Sequence, residues 1–183
     1  MVSKILVAMD RSDLSSAAFN QAMSLAKAVD ARLILLHVLS HAEEDSPQLV
    51  NVYGAGYYSE VNEILWQTYE QEWNAFVQEY EELLKWRTNE AKMAGVKAEF
   101  IHTSGSPGRT ICEVARDKDI DLIVIGSHGR AGLRELFLGS VSNYVMHHAP
   151  CSVLVSHPRE QTEPQHTALS PREEQDQATS APA

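Results

Sequence analysis

The residues best equipped for chemistry are gathered in one stretch, Gly126-Ser-His-Gly129-Arg130-Ala-Gly132-Leu-Arg134-Glu-Leu-Phe-Leu-Gly139-Ser140-Val141-Ser142. Gly126 and Gly129 follow an apolar run, where glycine lets the backbone turn tightly and lets a ligand approach with no Cβ in the way. Gly139 and Ser140 open a helical pattern. The first N–H groups of a helix have no partner within it, and the helix dipole favours an anion at that end. The hydroxyls of Ser140 and Ser142 can add hydrogen bonds to phosphate oxygens, and Arg130 is the nearest cation for a phosphate chain. His128 is the one histidine inside this loop. Taken alone, glycines in a loop also serve ordinary turns, so the stretch acquires meaning only from the elements that aim it.

Other chemistries find less support. There is no Gly-x4-Gly-Lys-Ser/Thr, and so no phosphate-loop lysine of the motor or kinase type. Gly54-Ala-Gly56 has no strand before it and reads as loop. His147 and His148 are adjacent on a helical pattern and point about 100° apart, an awkward arrangement for one metal ion. Asp10 could act as a general base, but no second carboxylate or nucleophile has an evident role beside it. Cys112 and Cys151 are the two cysteines, both in apolar surroundings, and read as reduced thiols of the core rather than a disulfide framework.

Five short apolar runs are expected to be strands: Lys4–Met9, Arg32–Val38, Lys97–His102, Leu122–Gly126 and Ser152–Ser156. Ile5-Leu6-Val7, Leu33-Ile34-Leu35-Leu36 and Leu122-Ile123-Val124-Ile125 are apolar on consecutive residues, the pattern of strands covered on both faces. Helical patterns lie between them. One runs from about Leu14 to Val29, with Ala18, Ala22, Leu25, Ala26 and Val29 inward and Ser12 or Asp13 as its cap. Another starts at Ser106-Pro107 and turns Ile111, Val114 and Ala115 inward. A third starts near Gly139-Ser140 and stops at Pro150. The remaining crossover is long: a polar stretch from Ser40 to Tyr58, then one helix over roughly residues 60–94 carrying Trp66, Trp73 and Trp86. Such a helix spans about 50 Å, more than a five-stranded domain needs, so part of it is expected to project. Its aromatics either pack on the sheet and the preceding loop or meet a partner subunit.

The element order is β-α-β-α-β-α-β-α-β. Right-handed crossovers then predict an α/β fold with one doubly wound, five-stranded parallel sheet of order 3-2-1-4-5 and helices on both faces. In such sheets ligands bind outside the carboxyl ends of the strands, where the winding reverses. That point lies between strand 1, ending at Met9-Asp10, and strand 4, ending at Gly126. The domain is expected to occupy residues 1–156, with 40–94 as an enlarged crossover. Residues 157–183 lack periodic apolar positions and read as a disordered acidic tail.

With 15 Lys and Arg against 25 Asp and Glu, the formal charge is −10. That balance argues against nucleic-acid or anionic-membrane partners, which need clustered cations. A nest of backbone N–H groups can still hold a small anion. Apolar runs fall far short of the ~18 residues of a membrane span, and Met1–Lys4 run straight into the first strand without room for a signal peptide. A cytoplasmic location is expected.

The spacing Gly-x2-Gly-x9-Gly-Ser, filled by Gly126, Gly129, Gly139 and Ser140, resembles that of ATP-binding universal stress proteins. The resemblance continues through Lys4-Ile-Leu-Val-Ala-Met-Asp10-Arg-Ser12, Leu36-His37-Val38, Gly105-Ser-Pro-Gly108, Asp121-Leu-Ile-Val-Ile-Gly126 and His148-Ala-Pro150-Cys-Ser-Val-Leu-Val155, so it covers about residues 2–156. It implies that Asp10 contacts the nucleoside with Ala8 beside it, and that the backbone of Val38 meets the adenine edge. It implies that Gly126 and Gly129 lie against ribose and phosphate, and that Gly139, Ser140, Val141 and Ser142 hold the phosphates. The implied ligand is ATP or AMP, with Mg2+ an optional companion of the phosphates. Residues 152–156 resemble the edge strand that pairs with its own copy in a homodimer, a pairing that would also protect an apolar edge. The enlarged 40–94 stretch departs from the family and raises helix 60–90 as a second route to a homodimer or higher oligomer.

Three function classes follow: a nucleotide-binding stress-response or regulatory module acting through conformation or a protein partner, a slow ATPase or nucleotidyl-transfer enzyme, and an interaction module built on the projecting helix.

Overall fold

The computed structural model describes residues 1–41, 43, 45–48, 59–128 and 138–157, with backbone alone at 59–62. The chain forms β1 (Lys4–Ala8), α1 (Asp13–Val29), β2 (Arg32–Leu39), α2 (Ser59–Met93), β3 (Ala98–Ser104), α3 (Pro107–Asp117), β4 (Leu122–Gly126), α4 (Ser140–His148) and β5 (Ser152–Ser156). The strands make one sheet of order β3-β2-β1-β4-β5, parallel at every pairing. This is the expected doubly wound topology, with its reversal between β1 and β4.

The consecutive apolar strands are buried on both faces. Ile5, Val7, Leu33, Leu35 and Val124 meet Phe19 and Ala22 of α1 and Leu84 of α2. Leu6, Ile34, Leu36, Ile123 and Ile125 meet Ile111 and Ala115 of α3 and Val145 of α4. Burying such side chains stabilises a fold by about 1.5–3 kcal/mol each, which is why unbroken apolar runs settle into the sheet centre.

Ser12 caps α1, its hydroxyl accepting from the Ser15 N–H at 3.0 Å. The helix ends at Asp30, in the left-handed region at φ 52°, whose N–H bonds the Ala26 carbonyl. The stripe that touches the sheet is Leu14, Ser15, Ala18, Phe19, Ala22 and Ala26. Leu25 and Val29, expected inward, are exposed: Leu25 sits at the margin of that stripe and Val29 in the last turn. Ser106 precedes Pro107 as expected, but its side chain makes no capping bond.

In α2 the tryptophans separate. Trp73 packs against a small cluster of Leu39, Phe76 and Tyr80, whereas Trp66 and Trp86 are exposed, with Ile64 at 62 %. The Ser152–Ser156 strand lies at the sheet edge with Val153, Leu154 and Val155 half-buried. No described helix is long and apolar enough to cross a membrane. Residues 42, 44, 49–58, 129–137 and 158–183 lie outside the described residues.

Candidate functional site

β1 stops at Ala8, whose partner is Leu36, while β2 runs on beside β3 to the Leu39–Ser104 pair. The Met9 N–H donates to the Leu36 carbonyl at 2.8 Å, and the Gly105 N–H donates to the Leu39 carbonyl at 3.0 Å. Leu36 therefore turns its peptide groups toward β1 and Leu39 toward β3. Strand alternation then directs the Val38 N–H and C=O toward β1, at a level where β1 has already ended. A donor and an acceptor are offered side by side on an open strand edge.

Beyond Ala8 the chain makes a polar turn. The Asp10 carboxylate accepts from the Ser12 N–H at 2.8 Å and from the Ser12 hydroxyl at 2.5 Å. The Asp10 N–H donates to the Ser15 hydroxyl at 2.9 Å. Asp10 is half-buried, and Ser12 and Ser15 fix its orientation. The sequence marked Ser12 only as a helix cap; its second role follows from the Asp-x-Ser spacing, which suits a side chain bonding the backbone two residues on.

The loop after β4 comes to the same place. Leu14, in the first turn of α1, lies against Gly126, where a Cβ would stand 3.1 Å from the Leu14 Cβ. The lack of a side chain at Gly126 thus serves the contact with α1. Ser127, which sequence reasoning passed over, joins three segments. Its N–H donates to the Ser156 carbonyl at 2.8 Å, and its own carbonyl accepts from the Gly139 N–H at 2.8 Å. That carbonyl also accepts from the Ser142 hydroxyl at 2.6 Å. A Cβ on Gly139 would stand 3.1 Å from the His128 Cα, so the two limbs of the loop close on each other at that glycine. His128 turns its Nδ1 to the Ser127 hydroxyl at 3.1 Å.

Gly139 is the N-cap of α4 and supplies no side chain to it. The first helical N–H groups, at Ser140, Val141 and Ser142, have no carbonyl one turn back within the helix. Ser140 is exposed and Val141 half-buried, while Ser142 is 2 % exposed. Its hydroxyl donates to the carbonyls of Ser127 and Gly139, so in this structure Ser142 ties the loop together with its side chain and offers a ligand its N–H. Gly129 and Arg130 lie outside the described residues. Ala8, Asp10, Val38, Gly126, His128 and Gly139 fall at the carboxyl end of the sheet or on the loops leaving it, and Ser140, Val141 and Ser142 form the first turn of α4 beyond them.

Beside this region lies a polar cluster that the sequence did not announce. His37, 1 % exposed, stacks on Tyr80 with centroids 3.6 Å apart and planes 9° from parallel. Its Nε2 meets Glu43 at 3.1 Å, which requires the Nε2–H tautomer if the ring is neutral. Burial, then the nearby Glu43 carboxylate, pushes the Tyr80 phenol above its ordinary pKa, so it stays protonated. Burial, then His37, pulls His102 down. Burial also raises both thiols, Cys112 and Cys151, in keeping with unreactive core cysteines. Among the described residues no three His, Cys, Asp or Glu side chains are grouped to hold a metal ion.

The chain resembles known proteins along most of its length. The model of the universal stress protein family matches residues 1–157. Universal stress protein Sll1388 of Synechocystis is 37 % identical over 158 residues, covering 83 % of this chain and 96 % of that one. The solved universal stress protein UspA of Lactobacillus plantarum is 26 % identical with a TM-score of 0.63, covering 84 % of this chain and 97 % of that one. A universal stress protein solved in complex with cAMP is 26 % identical with a TM-score of 0.57, covering 86 % of this chain and 98 % of the other.

Proposed function

Because this chain belongs to the universal stress protein family, we propose that it binds an adenine nucleotide, ATP or AMP, at the β1/β4 reversal. Binding would serve a stress-response or regulatory role exercised through nucleotide-dependent conformation or partner choice. The observation that carries this reading is the meeting of three features at one end of the sheet: the oriented Asp10 carboxylate, the open Val38 edge and the N-terminus of α4. The Val38 N–H and C=O suit the adenine edge, where N1 accepts and the N6 amino group donates. Asp10 suits the ribose or the nucleoside. The N–H groups of Ser140, Val141 and Ser142 suit phosphate oxygens, joined in this reading by the Ser140 hydroxyl, Gly129 and Arg130. Mg2+ would arrive with the phosphates. The cAMP complex of a family relative supports an adenine-type ligand.

The reading includes a homodimer. β5 has β4 on one side and, among the described residues, no strand on the other, and Val153, Leu154 and Val155 lie along that edge. Pairing it with a second copy would be isologous and would give a closed two-fold dimer. Mass spectrometry of the small molecules released by heating purified protein tests the ligand. Recovery of ATP or AMP near one per chain is expected, whereas stoichiometric recovery of a different class of molecule would overturn it.

A further inference from the structure

The two residues assigned to the base and nucleoside each have a chain neighbour that rests on the same ring. Arg11 follows Asp10 and His37 precedes Val38. The Arg11 guanidinium stands over the Tyr80 ring at 4.6 Å and over the Phe76 ring at 5.8 Å, and pairs with Glu79. His37 stacks on Tyr80 at 3.6 Å. Tyr80 is itself 3 % exposed and braced edge-on by Phe76 at 5.1 Å. One α2 side chain therefore backs both the Asp10 turn and the end of β2. Glu43 closes the cluster from the chain beyond β2, holding His37 Nε2.

The backbones of the two segments are held by the Met9–Leu36 hydrogen bond and by the pairing of β2 with β3, and Tyr80 is the side chain that touches the neighbours of both Asp10 and Val38. The buried His37 Nδ1 and His102 Nε2 have no hydrogen-bond partner among the described residues, so the His37 ring is located by its stack on Tyr80, by Glu43 and by the tilted His102 ring at 5.1 Å. Among the described residues Arg11 has one ion pair, with the largely exposed Glu79, and such surface pairs hold geometry weakly. A ring packed at nearly parallel planes fixes its neighbours more firmly than a flexible chain would.

We propose that Tyr80 is a positioning residue for adenine recognition. It sets the spacing between the Asp10 turn and the Val38 edge and so makes the site prefer adenine over guanine. The inference rests on the nucleotide reading above. Chemistry gives it a direction: adenine presents a donor at N6 and an acceptor at N1, whereas guanine presents an acceptor at O6 and a donor at N1. A fixed N–H and C=O pair on a strand edge matches the first pattern and opposes the second. Discrimination then depends on the edge being held in register. The triphosphate, bound at the α4 end, is common to both nucleotides.

Calorimetric titration of the full chain with ATP and with GTP tests it, using wild type, Tyr80→Phe, Tyr80→Leu and Arg11→Met. The wild type is expected to prefer ATP, and Tyr80→Phe, which keeps the stack, should retain the preference. Tyr80→Leu should weaken ATP about tenfold, the size of one misplaced two-point base contact, with GTP changing less than twofold. Arg11→Met should move the ratio the same way by a smaller factor, and it alone decides the matter if Tyr80→Leu does not fold. ATP and GTP weakening in equal proportion would mark a merely structural role and overturn the proposal, as would an unchanged ratio. A wild type that binds both nucleotides equally overturns it while leaving nucleotide binding intact. No binding of either overturns both readings.

Discussion

The Ser142 hydroxyl donates a 2.6 Å hydrogen bond to the Ser127 carbonyl, across 15 positions of sequence and in a buried setting. The same carbonyl takes the Gly139 N–H, and the Ser127 N–H is bound by Ser156. The main chain of one residue thus joins the end of β4, the start of α4 and the end of β5. The N-terminal end of α4, proposed above to face the phosphates, is aimed by these bonds.

Ser142→Ala should therefore lower stability by about 1–2 kcal/mol, the range for a buried hydroxyl lost from a satisfied network. Urea unfolding measures this. Nucleotide affinity should fall as well, because the first turn of α4 loses its tie to β4. A variant as stable as wild type, with unchanged affinity, would show that the Gly139 bond suffices alone.

Gly139→Ala brings a Cβ to a tight 3.1 Å from the His128 Cα and 3.3 Å from its Cβ, with the Ser127 carbonyl oxygen at an ordinary 3.6 Å. Backbone cannot rotate away as a side-chain tip can, so the limbs of the loop must part. A rise of about threefold in the Kd for ATP is expected, since the loop must give by a fraction of an ångström and shifts near 1 Å in positioning groups cost far more. Isothermal calorimetry on the folded variant decides it, and an unchanged Kd would mean that the loop gives way without moving the phosphate donors.

Much of this was legible beforehand. Apolar runs at residues 5–7, 33–36 and 122–125 announced the covered strands, and crossover handedness then left one sheet order, the one observed. Ser12 and Asp13 gave the start of α1 and Pro107 the start of α3. What could not be read was orientation. Ser142 looked like a free hydroxyl because its partner is a backbone carbonyl 15 residues away, and carbonyls leave no mark in sequence. The contact of Leu14 with Gly126, which also makes use of the missing Cβ, left no mark in the spacing. Tyr80 falls within the 60–94 helical pattern, but nothing in its spacing pointed to His37, 43 positions earlier. Glu43 lay within a polar stretch with no period.

Asp121 holds β1 against β4, accepting from the Ser3 N–H at 2.7 Å, the Ser3 hydroxyl at 2.8 Å and the Lys4 N–H at 3.0 Å. These bonds, the Ser3 N–H first, lower its pKa from 3.8 to about 2. The unfolded chain binds the proton more readily between those values, so stability rises with pH there. The contribution is present above about pH 4 and lost as pH falls through about 2. Asp121→Asn should flatten the stability profile in that window, checked by urea unfolding at a series of pH values. A profile as steep as wild type would mean that other carboxylates set the acid limit.

Leu154→Lys should weaken assembly, because it sets a charge on the edge of β5 where the second copy is proposed to pair. Light scattering at micromolar concentration should give wild type at twice the 20.4 kDa chain mass and the variant shifted toward one. A dimer that survives Leu154→Lys but dissociates with Trp73→Glu would move the interface to α2. A wild type that scatters as a single chain would remove the dimer altogether.

The most direct measurement is a calorimetric titration of nucleotide-free protein with ATP and with AMP, at low millimolar Mg2+. The account predicts saturable binding of an adenine nucleotide at one site per chain, weakened by Gly139→Ala. Absence of saturable heat from either nucleotide, in protein shown to be folded and free of ligand, would contradict it.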